Sequence, residues 1–514
     1  MKTKPMDHQV TGCELLAKYD NFMLACEQGT GKTWMLLADT EARFDRNEID
    51  ALLVVAPSGV HTNWTRREIP THLSCDCLAV AYSSGPTKRL LKQIEQVMTK
   101  DTDDRKLHIL TMSIDSVNTQ KGYDIAKRFL IRFRDRCVFA LDESSRIKNM
   151  TSKRTEKILM LSDFAKIKRP MSGTPITNSP SNAFPQFEFM QPGLLGTTSY
   201  RSFVAEYSQL LPPNNRMVLD IIQRRSPGLV AEYRAAMARG DTTVAHDILR
   251  RLARMAPQIV ATDTEGRPKY RNLDKLRGLM APHLYRVTKA ECLDLPDKIF
   301  TNNYFELSPE QRRLYMLVDE EMRWEDEDGN LDVFNAMTKL TKLQQITSGF
   351  IHTTEAGLVY VEEGATARIK ALMDVVEDID GKFIIWARYK EEVRSICAAL
   401  AAAGIEYVEY HGDVSKADRE KAIESLQAGS ARAFVGNAAS GGIGLTLTAA
   451  ETAIYYSNDF NLETRLQSED RCHRIGTVNH INYIDLVAIN SIDEKIALAL
   501  QNKEEVATTL LRKA

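Results

Sequence analysis

Short apolar runs recur along the first part of the chain at Asn21–Ala25, Leu52–Ala56, Leu107–Thr111, Val138–Leu141 and Lys168–Met171, each followed by residues with helical spacing. Runs of this kind suit strands buried on both faces. Strands that alternate with helices are expected to be parallel, because each crossover must carry the chain back across the sheet. The rhythm stops between about Ile176 and Ala290, where Arg- and Ala-rich segments such as Leu229–Met255 read as helix. It resumes at Lys382–Ala387, Tyr407–Tyr410, Ala431–Val435, Ala453–Tyr456 and Ile481–Val487. The pattern predicts a parallel α/β lobe over 1–175, a helical insertion over 176–290 and a second lobe over 291–514, with a short helical insertion near 308–348. Pro296 interrupts any helix at the joint.

With 514 residues the chain exceeds the roughly 250–300 at which one hydrophobic core stops growing, which agrees with two lobes. No run approaches the ~18 apolar residues of a membrane span, and Met1 to Thr11 has no apolar signal core, so a cytoplasmic protein is expected. The eight cysteines are scattered. Cys75 and Cys77 lie near His72, but no second ligand pair follows, so they read as ordinary loop and core residues. The formal charge is −2, which leaves no global field to hold a polyanion. One stretch differs: from Arg216 to Lys289 there are 15 Lys or Arg and 7 Asp or Glu. It is either a local phosphate-binding patch or a solvated helical insertion.

Candidate chemistry begins at Glu27-Gln28-Gly29-Thr30-Gly31-Lys32-Thr33, between a predicted strand and a predicted helix. Glycines there let backbone N–H groups turn toward phosphate oxygens at the positive end of the helix. Lys32 is placed to reach the β- and γ-phosphates of ATP, and Thr33 to hold Mg²⁺. Farther on, the strand Val138–Leu141 ends in Asp142-Glu143. Two acids at a buried strand end are costly unless used, and they suit one carboxylate on Mg²⁺ (Asp142) and one that activates water (Glu143). In the second lobe Gln467 to Gly476 offers Arg471 and Arg474, three apart and expected on one helix face, as candidates to stabilise charge on the transferring phosphoryl group.

Taken together these residues resemble the Swi/Snf-type (sucrose non-fermenting) DNA translocases of helicase superfamily two, over nearly the whole chain. Further matches are Asp7-His8-Gln9 ahead of the P-loop, Ala56-Pro57-Ser58 with Trp64, Ser172-Gly173-Thr174-Pro175, Leu276–Pro296, and Ser440–Ala450 leading to Arg471-Cys472-His473-Arg474-Ile475-Gly476. The resemblance implies two RecA-like parallel-sheet lobes in tandem with helical insertions. It implies that Gln9 reads adenine, Gly29 to Thr33 hold the nucleotide, Arg471 and Arg474 are the finger pair and Gln467 supports them. It also implies that Ser172, Thr174, Gly441, Gly442 and Thr446 couple ATP to the DNA backbone. Three positions depart from the family pattern: Cys26 where Asp is common, Ser145 in place of an imidazole that links hydrolysis to the coupling motif, and Thr477 in place of Gln.

The compact form looks most like bacterial or phage-encoded members. The implied activity is hydrolysis of ATP with Mg²⁺ by a monomeric double-stranded DNA translocase that acts on forks, branched DNA or DNA-bound proteins. A strand-separating DNA or RNA helicase and a weakly hydrolysing ATP-gated DNA-binding scaffold are the alternatives.

Overall fold

A computed structural model describes residues 1–511 apart from 59, 100–104, 328–332, 354–356, 362–363 and 442–444. The first sheet has seven parallel strands: β1 (Met23–Leu24), β2 (Ala51–Ala56), β3 (Cys77–Tyr82), β4 (Leu107–Ser113), β5 (Cys137–Asp142), β6 (Ile167–Met171) and β7 (Leu284–Tyr285), in the order β3-β4-β2-β5-β6-β1-β7. Every residue of β2 and β4 is buried, as continuous apolar runs require in a sheet covered on both faces. Apolar clusters fill both sides, with Leu53, Val55, Phe139 and Leu141 on one and Leu52, Val54, Val138 and Ala140 on the other.

The second sheet is built from β8 (Lys298–Phe305), β11 (Phe383–Ala387), β12 (Tyr407–Tyr410), β13 (Ala433–Asn437), β14 (Thr452–Tyr455) and β15 (Ile481–Ala488), also all parallel, in the order β12-β13-β11-β14-β15-β8. Between β8 and β11 a hairpin of β9 (Phe350–Thr353) and β10 (Gly357–Tyr360) follows the helices Pro309–Glu327 and Val333–Thr347. Two parallel α/β lobes in tandem with helical insertions are what the alternation predicts.

Three strands of the two parallel sheets were not in the sequence reading, and one of them, β7, crosses a predicted lobe boundary. The first sheet reaches into the stretch assigned to the insertion, because β7 returns to pair with β1 (Met23 with Leu284, Leu24 with Tyr285). Two residues are too few to show a period. β3 and β8 are sheet edges with half-solvated residues, so neither carries an unbroken apolar run. Within the insertion, Leu229–Met255 is two helices, Pro227–Ala238 and Thr242–Met255, parted by Gly240 at φ +71°. They share a small core of their own around Val218, Tyr233, Ile248 and Leu252. The helix Ile492–Leu511 joins the lobes: Ile492, Ile496 and Leu500 lie in the second lobe's core, while Leu510 and Leu511 lie in the first lobe's. No described helix is long and apolar enough to cross a membrane.

A buried charge cluster fixes the elements that carry the candidate site. Arg169 of β6 is fully buried and donates from Nε to Asp39 Oδ2 at 3.0 Å, while Arg43 Nε donates to Asp39 Oδ1 at 3.0 Å. Both guanidinium groups also donate to the carbonyl oxygens of Leu16 and Tyr19 at the end of the helix Asp7–Lys18. Asp39 thus ties the helix Lys32–Asp45 to β6 and to the first helix. Asp39→Ala would leave the fully buried Arg169 without its carboxylate, while Arg43 keeps Asp20 and Glu48, a loss of about 3–5 kcal/mol. Hydrogen exchange should show lost protection in β1 and β6 with β11 to β14 unchanged; wild-type protection in β6 would sink this account.

Candidate active site

β6 lies between β5 and β1 in the first sheet. The loops that leave the carboxyl ends of these three neighbours therefore meet at one edge, where α/β sheets bind ligands. The loop after β1 is Ala25 to Gly31. Gly29 and Gly31 hold φ of +83° and +87°, left-handed angles that let successive N–H groups face the cavity. A β-carbon at Gly31 would also stand 2.0 Å from Gln9 Nε2. Lys32, the first residue of its helix, folds its ammonium over the loop and donates to Cys26 O (2.8 Å) and Glu27 O (3.1 Å). His8 and Gln9 clasp the loop from the other side, each with a ring or amide nitrogen on Thr30 O (2.7 and 3.3 Å). The loop's entry is pinned by β7, since Ala25 N donates to Tyr285 O and Glu27 N to Val287 O. Cys26 Sγ donates to Tyr285 O as well, at 3.4 Å.

At the end of β5 Asp142 Oδ2 accepts from the indole N–H of Trp64 (3.2 Å), and Oδ1 accepts from Glu143 N (3.1 Å). Glu143 has left the strand with φ +51°, a conformation that a non-glycine residue holds at a cost of about 1–3 kcal/mol. That turn aims its carboxylate back into the cleft. There Oε1 accepts from Gln28 Nε2 and Oε2 from Ser172 Oγ, each at 3.3 Å. Burial raises both carboxyls above the usual range, Glu143 to about 7, against the pull of the Lys32 ammonium. A carboxylate tuned near neutrality is matched to taking a proton from water. Thr33 and Asp142 both line the cavity and offer hard oxygen donors of the kind Mg²⁺ accepts.

The second lobe closes the cavity. Arg471 and Arg474 are not on a helix as their spacing suggested: the helix Leu462–Glu469 has ended, and both sit in the turns after its cap Asp470. The reason is local. Arg471 Nε donates to the carbonyl of Gln467 (2.8 Å), so the guanidinium caps the helix it follows. The two side chains still converge, since each donates from Nη1 to Leu445 O (3.3 and 2.8 Å). Burial, and then the neighbouring Arg474, lower Arg471 to about 10. Thr477 caps the following turn, donating to Cys472 O (2.6 Å) and accepting from Arg474 N (3.2 Å). Arg471 already crosses the cleft, with Nη2 on Gln28 Oε1 at 3.1 Å. Gln28 thereby joins an arginine of one lobe to the carboxylate of Glu143 in the other.

A single cavity of about 680 Å³ is lined by Gln9, Gly29, Gly31, Lys32, Thr33, Asp142, Glu143, Gln467, Arg471 and Arg474. Thr30 stays just outside it, donating its hydroxyl to Glu27 O. The residues expected to touch DNA behave differently. Ser172 is fully buried with its hydroxyl given to Glu143, and Thr446 lines the same cavity and accepts from Arg474 Nη1 (3.2 Å). Thr174 lines a smaller cavity between the lobes, with a buried hydroxyl. Gly441 ends the short helix Ala438–Gly441, and Gly442 lies outside the described residues. The structure therefore buries Ser172 against Glu143 and sets Thr446, which is exposed, beside Arg474 at the cavity. Sequence reasoning did not find Gln28, Arg67 or Glu68 as cleft residues, nor the bond from Trp64 to Asp142. Their one visible signal is proximity to a motif, and the π-helical turn Trp64–Glu68 that aims three of them inward is not readable from periodicity.

A profile described as the SNF2-related domain matches residues 8–349, and one described as the helicase conserved C-terminal domain matches 367–476. YwqA of Bacillus subtilis, whose description contains the words ATP-dependent helicase/translocase, is 24% identical over 95% of this chain and 46% of its own length. The ATP-dependent helicase FUN30 of Saccharomyces cerevisiae is 23% identical over 97% of this chain and 46% of its own. The chain thus spans less than half the length of these relatives. Among solved structures, the SWI2/SNF2 ATPase core of Sulfolobus solfataricus in complex with dsDNA aligns over 100% of this chain and 98% of that one, with 20% identity and a TM-score of 0.40. Because the first profile spans more than half of its residues, from the helix that bears Gln9 through both insertions, the chain belongs to the SNF2-related family.

Proposed function

We propose that this protein hydrolyses ATP to ADP and phosphate and uses the cycle to move along double-stranded DNA. The observation that carries the reading is the shared cavity, in which the P-loop and paired acids of one lobe face two arginines of the other. The loop after β1 receives the phosphates on backbone N–H groups and the Lys32 ammonium. Gln9, held against that loop, is placed for the base. Glu143 orients a water and accepts its proton, while Arg471 and Arg474 stabilise the negative charge that builds on the transferring group. Thr33 and Asp142 would hold Mg²⁺, which would supply charge neutralisation along the phosphates.

Movement follows from where the coupling residues sit. Ser172 touches Glu143 and Thr446 touches Arg474, so changes at the phosphates shift the loops of both lobes. The relatives' descriptions as ATP-dependent helicases support a nucleic-acid motor. A grip on DNA through its phosphates needs only a basic surface. Arg250, Arg251 and Arg254 are exposed on the helix Thr242–Met255 of the insertion and offer one. Both halves of the cleft come from one chain, so a monomer suffices.

Lys32→Ala and Glu143→Gln should abolish turnover with the fold intact, and Arg471→Ala and Arg474→Ala should each lower it by ~10³. Steady-state ATPase assays read both. Near wild-type turnover in Glu143→Gln would remove Glu143 from the chemistry.

Neutralising Arg250, Arg251 and Arg254 together should weaken DNA binding equally for all sequences and flatten the dependence of log affinity on log salt by roughly one unit per lost contact. Identical slopes would leave the insertion a solvated appendage.

A motor on intact duplex should eject the third strand of a triplex in an ATP-dependent manner, lost in Lys32→Ala, with little unwinding of a forked duplex. Strong fork unwinding without triplex displacement would assign a strand-separating helicase instead.

A further inference from the structure

Glu463 is a second-lobe carboxylate held by the first lobe. It lies in the first turn of the helix Leu462–Glu469, is 6% exposed, and is oriented by Asn461, whose side chain accepts from Glu463 N. Its Oε1 accepts from Ser145 Oγ at 2.9 Å, and its Oε2 accepts from Lys148 Nζ at 2.8 Å. Arg146 adds a longer ion pair at 3.9 Å. All three donors belong to the segment just after Glu143. Within its own lobe Glu463 accepts from Gln467 Nε2 at 3.4 Å, the residue whose carbonyl holds Arg471.

These contacts place Glu463 between the two halves of the hydrolytic site. On one side Ser145 stands two residues from Glu143 in a tight turn, and Lys148 also donates to Thr177 Oγ1 (3.0 Å), just beyond the coupling motif. On the other side Gln467 and Arg471 follow on the same helix and its cap. Ser145 is fully buried while the lobes meet, so in this arrangement its hydroxyl depends on Glu463 and not on water. Serine at this position replaces the imidazole that the family resemblance leads one to expect. Its hydroxyl is nevertheless engaged with a partner 318 residues away.

We propose that Glu463 and Ser145 form a latch between the lobes, in which Glu463 is a positioning residue that sets Glu143 and Arg471 in register and transmits duplex binding to hydrolysis. The inference rests on the ATPase and DNA reading above. The pair takes over the linking role of the missing imidazole, and Lys148 extends it to the segment after β6.

The test compares wild type with Glu463→Ala, Ser145→Ala, their double variant and Glu463→Gln, which keeps an acceptor for Ser145. Two readouts are needed: energy transfer between dyes carried by unnatural residues at the exposed positions Met160 and Lys421, without nucleotide or DNA, and steady-state ATPase with and without duplex. Both alanine variants should shift the transfer distribution toward separated lobes. They should cut duplex-stimulated kcat about tenfold, inside the roughly 5- to 150-fold range of such couplings, with KM for ATP within about twofold. The double variant should be no worse than the poorer single, and Glu463→Gln should recover most of the loss. Wild-type transfer and stimulation in Glu463→Ala, losses that multiply in the double variant, or a change confined to KM would each overturn the latch. A wild-type ATPase indifferent to every nucleic acid would instead overturn the translocase reading, and the energy-transfer arm would then decide the latch alone.

Discussion

The position of β6 between β1 and β5 is the constraint from which the site follows. Parallel strands all release their loops at the same edge, so neighbours in the sheet have neighbouring loops whatever their distance in sequence. The P-loop leaves β1, the paired acids leave β5, and Ser172 leaves the strand between them with its hydroxyl on Glu143. Gly173 is glycine for the same reason: a β-carbon there would meet Gln28 N at 3.1 Å. The Asp39 cluster serves this arrangement, since it ties the P-loop helix to β6 by charge in addition to the packing of Met35, Leu36 and Leu37.

Across the cleft the chain uses a different kind of contact. The lobes meet there through Arg471 on Gln28, Glu463 on Ser145 and Lys148, and Lys289 on Asp470. Polar pairs of this sort are directional and can exchange partners with water or phosphate, whereas an apolar interface of equal extent would weld the lobes together. Apolar joining is kept for the helix Ile492–Leu511, which is seated in both lobes' cores. The molecule therefore separates a fixed connection from a releasable one.

What the sequence disclosed and what it hid divide along locality. The P-loop and the strand ending in Asp142-Glu143 were legible because their chemistry is written within a few residues: glycines where the backbone must turn left-handed, acids where an apolar run stops. Strands buried on both faces were legible for the same reason. The edge strands β3 and β8 were not, since solvent breaks their apolar run, and β7 has only two residues. The spacing of Arg471 and Arg474 suggested a helix face; the helix ends first because Arg471 caps it. Gln28 and Glu463 carried no local signal, because each owes its place to a partner in the other lobe.

The helix Ile492–Leu511 has a consequence for how the protein is made. Leu510 and Leu511 are fully enclosed in the core of a lobe whose P-loop strand begins at Met23. During synthesis the ribosome delivers the first six strands by Met171, yet the place those two leucines fill stays open until the chain has emerged as far as Leu510 and Leu511. Domains of large proteins commonly fold as units in the order of their synthesis. Here the first lobe can collapse on the ribosome but gains its last packing only after the second lobe has formed and carried the helix back, so native docking of the lobes is the closing step of folding.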